Sequence, residues 1–277
     1  MPDIQSSLTA DNAKSYLMSI RLCSGGLSFY AYRPSVGNSF VHAEWSFPAE
    51  SPYCESLKSC CLENPILLWD YQAVSIVVVS ASYALVPEIL FEEEKKKQLY
   101  TFTLLQKVDE VCSAQIKDLS AYLLFGIDKT LLTFCQNQWQ NGQFTHSIVH
   151  QLKLQYQQAQ RYRSQSAESV IRLMYVVLQE DSIDISCFSE GSLLYANSFL
   201  ATNTSDKLYY ILSVWKTTGF DQLKDILFIR GDSPELIEQL KTYIPHVRPI
   251  ELPTDAFLYG TSFLKAPIDI ISLSLCE

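Results

Sequence analysis

VIRLMYVVLQEDSIDISCFSEGSLLYANSFLATNTSDKLYYILSVWKTTGFDQLKDILFIRGDSPELIEQLKTYIPHVRPIE, residues 170–251, decides the fold. It reads as strand, turn, strand, turn, strand, helix, strand, helix, strand. Residues 171–178 mix apolar and β-branched side chains, the signal of a buried strand. In residues 182–188, Ile183, Ile185 and Cys187 alternate with Ser182, Asp184 and Ser186, so one face is apolar and the other polar. Asp184 is expected to mark the solvent face. Ser189-Glu190-Gly191 carries the glycine of a hairpin turn, and residues 192–200 make the third strand. Thr204 and Ser205 offer hydroxyls as helix caps. Leu208, Ile211, Leu212 and Trp215 follow at helical spacing, and Gly219 stands where a left-handed terminal residue belongs. Residues 225–230 form a short strand ended by Gly231. Ser233-Pro234-Glu235 starts a second helix, with Leu236, Leu240 and Ile244 on its buried face and Pro245 as its stop. Residues 246–252 add a last strand.

The same order of elements occurs nearer the N-terminus. Residues 16–23, 27–33 and 40–47 read as strands, with Ser24-Gly25-Gly26 as the first turn. A helix over 53–69 is weakened at its end by Pro65. Residues 75–80, SIVVVS, form an uncharged buried strand. Pro87 then opens a helix, with Leu90 and Phe91 turned inward and the charge run of residues 92–97 outward. Between the copies, strands are expected at 111–115 and 121–126, a helix capped by Asp128, a short strand at Phe144 and a glutamine-rich helix over 147–163. The polar stretch 164–166 marks the boundary, giving domains 1–165 and 166–277. The apolar tail segment 268–275 should pack on one of the sheets. The expected fold class is α/β, with two tandem domains, each a mixed sheet of β-β-β-α-β-α order.

Composition narrows the function. The 277 residues carry 21 Lys and Arg against 30 Asp and Glu, a net charge of −9. No basic tract stands out, so nucleic acid is not an expected partner. The N-terminus lacks the basic start and continuous apolar core of a signal peptide. No apolar run approaches the roughly 18 residues that span a bilayer. A cytoplasmic protein without membrane insertion is expected. Of the eight cysteines, Cys23, Cys112, Cys135 and Cys187 lie on expected strands or helices and read as free core thiols.

Tandem domains of this order resemble the plan of the actin, sugar-kinase and heat-shock-chaperone superfamily, whose domains are ribonuclease H-like. The chain also looks like a bacterial family of unknown function assigned an actin-like ATPase fold. VPEILF at 86–91, SIDISCFSEGSLLYANSF at 182–199, DKLYYIL at 206–212 and the terminal SLCE carry that resemblance. More distantly, the fold is similar to pilus-assembly and cell-division relatives of actin. The resemblance implies an ATP site between two hairpin turns, with backbone N–H groups on the phosphates and an Asp on each side for Mg²⁺. Carried over residue by residue, the cofactor-binding candidates are Ser24, Gly25, Gly26, Asp181 and Gly231. The first turn lacks the acid of the usual D-x-G-[ST] pattern, and Arg21 is its nearest charge. The second, Gln179-Glu180-Asp181-Ser182, has acids but no glycine. ATP with Mg²⁺ is therefore disfavoured.

Other chemistry is weaker still. His146 and His150 have the i,i+4 spacing of a helical zinc pair, but no adjacent glutamate and no third ligand suggest themselves. Ser24-Gly25-Gly26 lacks a nucleophile-elbow context. Asp181 and Asp184 could serve as metal carboxylates of a nuclease, against which the net negative charge argues. No catalytic residue and no metal site is assigned. The expectation is a non-catalytic adaptor or scaffold with a degenerate nucleotide cleft and a protein partner. The alternative is a nucleotide-binding switch or ATPase using that cleft.

Overall fold

The computed structural model describes residues 8–165 and 171–275. Alternation of apolar and polar side chains produces the first meander: β1 (Leu17–Cys23), β2 (Gly26–Tyr32) and β3 (Val41–Ser46). Then come α1 (Tyr53–Glu63), β4 (Ala73–Val78), β5 (Tyr83–Pro87), α2 (Lys96–Leu104), β6 (Glu110–Ile116), β7 (Ala121–Ile127), α3 (Lys129–Gln138), β8 (Gly142–His146) and α4 (Ser147–Gln165). The second meander is β9 (Arg172–Leu178), β10 (Ser182–Ser189) and β11 (Ser192–Leu200). It continues into α5 (Thr204–Thr217), β12 (Ile226–Arg230), α6 (Pro234–Tyr243), β13 (Val247–Pro249), α7 (Thr261–Lys265) and α8 (Ile268–Leu275).

Two five-stranded sheets have matching orders, β3-β2-β1-β4-β8 and β11-β10-β9-β12-β13. In each, the meander is antiparallel; its first strand pairs in parallel with the next strand out, β4 or β12, and that strand pairs in parallel with the outermost, β8 or β13. A third sheet, β5-β7-β6, is small and antiparallel. The chain forms two compact units. One comprises Met1–Ile116, Ser120–Val149 and Pro253–Glu277; the other comprises Lys117–Leu119 and His150–Leu252. The boundary expected at 164–166 falls partly outside the described residues.

The small sheet corrects the reading around Pro87. That proline ends β5 instead of opening a helix. β5 is an edge strand, where a residue without an N–H is tolerated. Two short 3₁₀ turns, Glu88–Leu90 and Glu93–Lys95, intervene before α2. Leu90 is exposed, whereas Phe91 stacks on Tyr122 with ring centroids 3.8 Å apart. The acid–base run pairs with itself, Glu92 with Lys95 and Glu93 with Lys96. Two helix starts are settled by side chains. Asp128 caps α3 by accepting from the Leu131 N–H at 2.8 Å. Asn203, not Thr204 or Ser205, caps α5, accepting from the Asp206 N–H at 2.8 Å.

In unit 1, one face of the first sheet carries Met18, Ile20, Leu22, Phe29, Ala43 and Ile76 into a core with Leu57 and Cys61 of α1. The opposite face is mixed and also buried: Ser19, Arg21 and Ser28 lie on it beside Val77, Tyr30 and Tyr32. The tail helix α8 closes this face. Arg21 Nε meets Asp269 Oδ2 at 2.9 Å, with side chains 9% and 0% exposed. Burial opposes the guanidinium charge, and Asp269, Cys23 and Tyr30 outweigh it, so the net shift raises the pKa of Arg21.

Unit 2 repeats the scheme with different chemistry. Met174, Val176, Ile183, Ile185, Leu227 and Ile229 face Ile211 and Trp215 of α5 and Leu236 of α6. The other face holds Asp184 and Ser186, both buried. The expectation of Asp184 on the solvent face is thus corrected, because α4 covers it. Gln151 Nε2 donates to Asp184 Oδ2 at 2.9 Å, and Ser186 Oγ donates to Gln155 Oε1 at 2.7 Å. Gln158 reaches the Glu251 carbonyl, and Gln160 reaches the Gly191 carbonyl at 2.9 Å. So each helix that follows the last strand of one sheet packs on the other sheet: α4 follows β8, and α8 follows β13.

Removing one partner of a buried ion pair leaves an uncompensated charge and costs about 3–5 kcal/mol. Arg21→Met should lower the urea midpoint accordingly. The double change Arg21→Met with Asp269→Leu should recover most of that loss.

Candidate functional site

In open α/β sheets, ligands gather at the carboxyl ends of parallel strands. In unit 1 these are the ends of β1, β4 and β8. Ser24 and Gly25 form the two-residue turn after β1, and the ladder closes at Cys23 opposite Gly26. Both turn residues are exposed. Neither occupies the left-handed region. A Cβ on Gly25 would meet nothing within 4 Å, whereas one on Gly26 would lie 2.1 Å from the Trp45 carbonyl oxygen. Glycine at 26 is therefore demanded by the close approach of β3, and glycine at 25 by no neighbour. Arg21, the nearest charge in sequence, is occupied with Asp269 and approaches Cys23 Sγ through Nη1 at 3.4 Å. The turn itself holds no carboxylate.

Beside it, β4 continues past its end with the Val79 N–H on the Leu22 carbonyl at 3.0 Å. Ser80 Oγ lies 3.2 Å from His146 Nε2 and donates to the Ser82 carbonyl at 3.2 Å. The pair resembles a nucleophile and its base, and its hydrogen bonds contradict that role. Nδ1 of His146 accepts the Ile148 N–H at 3.3 Å. An amide can only donate, so the neutral ring carries its proton on Nε2 and donates it to Ser80. In this tautomer the histidine donates to Ser80 instead of accepting from it. Its ring is fully buried between Tyr83 and Phe125, at 5.6 and 5.3 Å.

In unit 2, Asp181 lies in the three-residue turn between β9 and β10, exposed beside exposed Glu180. Its carbonyl accepts the Ala201 N–H at 2.9 Å. Gln179 folds back, donating from Nε2 to Asp184 Oδ2 at 2.9 Å. With Gln151 and Ser198, three donors hold the Asp184 carboxylate. Reasoning from sequence missed this cluster; the i,i+4,i+7 spacing of Gln151, Gln155 and Gln158 was its available signal. Gly231 ends β12 with φ +121°, and a Cβ there would lie 2.5 Å from Leu178 Cβ. Gly231 and the Asp181 turn therefore share one end of the second sheet.

The donor set fits a magnesium triphosphate poorly. The first turn has no carboxylate for a metal, and the second has two carboxylates and no glycine. Among the described residues, no three His, Cys, Asp or Glu side chains are grouped to hold a metal ion. Burial, helped by Lys153, pushes the His150 pKa down to about 3.

A protein-family profile described as "Protein of unknown function (DUF3822)" matches residues 5–247. No curated protein matches the chain. Among solved structures, one from Bacteroides thetaiotaomicron with an actin-like ATPase fold and unknown function is 29% identical. The match covers 98% of this chain and 99% of that chain, with a TM-score of 0.79. The PilM-PilN type IV pilus biogenesis complex matches at 9% identity over 94% of this chain and 97% of that one, TM-score 0.57, a likeness of fold alone. The two matching sheets are those of an actin-like ATPase fold. No helix among the described residues is long and apolar enough to cross a membrane.

Two measurements follow from this geometry. Gly25→Val should leave the unfolding temperature unchanged, while Gly26→Ala, forced against backbone, should lower stability by roughly 1–3 kcal/mol. For His150, the unfolded chain takes up a proton below pH 6.5 while the folded chain stays neutral down to about pH 3. The unfolded state then binds more protons, so this residue's contribution is complete above pH 6.5 and is lost as pH falls towards 3. The slope is at most about 1.4 kcal/mol per pH unit. His150→Gln should flatten the fall of stability between pH 6.5 and 5, read by urea titration at each pH.

Proposed function

The chain belongs to the DUF3822 family, and on that premise we propose that it is a non-catalytic adaptor or scaffold that binds another protein. The carrying observation is the donor set of the two turns. One turn is without acid and the other without glycine, so neither supplies the backbone cradle and metal carboxylate that triphosphate chemistry needs. Arg21 and Asp184, the charged side chains closest to the turns that are buried, are engaged by Asp269 and by Gln151, Gln179 and Ser198. The equal strand orders of the two sheets support a duplicated module that keeps its scaffold while its turns diverge. A protein of this fold, PilM, is solved in complex with PilN, so the fold can carry a partner. The seven described cysteines are free, which supports a reducing, cytoplasmic setting.

The second reading is a nucleotide-binding switch built on Ser24, Gly25, Gly26, Asp181 and Gly231. The open space at Gly25 and the left-handed, exposed Gly231 favour it.

A thermal-shift titration with millimolar Mg·ATP separates the two. The adaptor reading expects no change. Saturable binding at 100 times Kd would add about 2.7 kcal/mol. A rise of that kind, abolished by Gly25→Val, transfers the assignment to the switch. Affinity capture from the native cell should return a protein partner whose yield is indifferent to added nucleotide.

A further inference from the structure

We propose that the free edge of the first sheet, with the hollow at its end, receives an extended, positively charged segment of a partner protein. This rests on the adaptor reading and gives it a place and a chemistry.

β3 is the outermost strand and pairs only with β2. Among the described residues, no backbone hydrogen bond reaches its outer row. Natural edge strands are guarded by charged side chains, Lys above all, by Pro or by a bulge. Val41–Ser46, VHAEWS, has no Lys, no Pro and no bulge, so a basic strand meets no like charge on it. Its one charge, Glu44, is an exposed carboxylate that accepts from the Ser28 and Tyr30 hydroxyls at 3.5 and 3.3 Å and gives the strand a negative charge. An open ladder of this kind accepts a strand from another chain, with main-chain hydrogen bonds giving affinity and side-chain pockets giving choice.

The pocket is present. β3 runs into a hollow of about 440 Å³ against α1, lined by Trp45, Phe47, Glu55, Ser59, Glu63 and Asn64 among others. Glu55 and Glu63 are exposed carboxylates. No Lys or Arg lines the hollow. Lys58 of the same helix lies instead over the Phe134 ring, 5.8 Å from its centroid. At the base, burial and then Glu63 push the Cys60 thiol up to about 11. The hollow is thus an electronegative socket with a half-buried indole in its wall. That combination suits the ammonium of Lys or the guanidinium of Arg, which gains from both carboxylate and ring face. An added strand would present such a side chain at the end of β3 while its alternate residues lie along the edge. The net charge of −9 steers a basic segment towards the molecule in general.

The probe is a phage-displayed library of linear decapeptides, selected on the full chain. Enriched peptides are then synthesised and titrated by fluorescence anisotropy. Expected are sequences with Lys or Arg set among β-branched or aromatic residues, binding at least about tenfold more weakly to the Glu55→Gln/Glu63→Gln variant. Hydrogen exchange of the complex should slow over residues 41–47. Both glutamates are exposed, so the variant should keep the parent unfolding temperature, and Glu63→Lys provides a second, reversed charge at the same place. Peptides that bind parent and variants alike overturn this surface and leave the adaptor reading standing. Enrichment without basic residues, or no enrichment, also overturns the surface; the adaptor reading is then decided by the nucleotide titration and the native capture.

Discussion

A charge buried on a sheet face must find partners, and that requirement organises the chain. A five-stranded sheet with an apolar face on one side and Arg21, or Asp184, on the other cannot leave the second side bare or cover it with hydrocarbon alone. An unpaired charge in a dry interior costs more than any neighbouring contact returns. The solution differs between the units. The first sheet is closed by a salt bridge from α8 and the second by a row of glutamines from α4. Each covering helix comes from the far side of the other sheet in sequence. The order of elements along the chain and the division into compact units therefore disagree for a physical reason: α8 is needed where Arg21 is.

Much of the fold was legible. Alternation in residues 182–188 and the hairpin glycine at 191 identified β10 and β11, and Glu190 and Gly191 do adopt positive φ of 49° and 77°. Leu236, Leu240 and Ile244 are buried as their spacing implies. What escaped has a common cause. Alternation tells which residues share a face, not whether that face is covered. Asp184 among serines reads as solvent-facing until its partner, 33 residues away, is known. Arg21 and Asp269 lie 248 residues apart, and no local pattern links them. β5 was missed because Pro87 read as the opening of a helix, when an edge position makes that proline harmless at the end of a strand.

The candidate turns show the same limit from the other direction. Their residue types were legible, and their roles were not. Gly25 and Gly26 look equivalent in sequence, yet one faces open space and the other is pinned by the Trp45 carbonyl. Ser80 and His146 look like a dyad until the proton on the ring is located by the Ile148 amide. Hydrogen-bond direction, set by the backbone, decides that chemistry more firmly than proximity does.

Native-state hydrogen exchange across a denaturant series tests the central claim most directly. If buried polar pairing makes each covering helix part of the sheet it closes, amides of α8 should open with those of β1 and β4. Amides of α4 beyond residue 150 should open with those of β9 and β10. Exchange of α8 at low denaturant, well before β1 opens, would show that the tail helix is an appendage and would contradict the account.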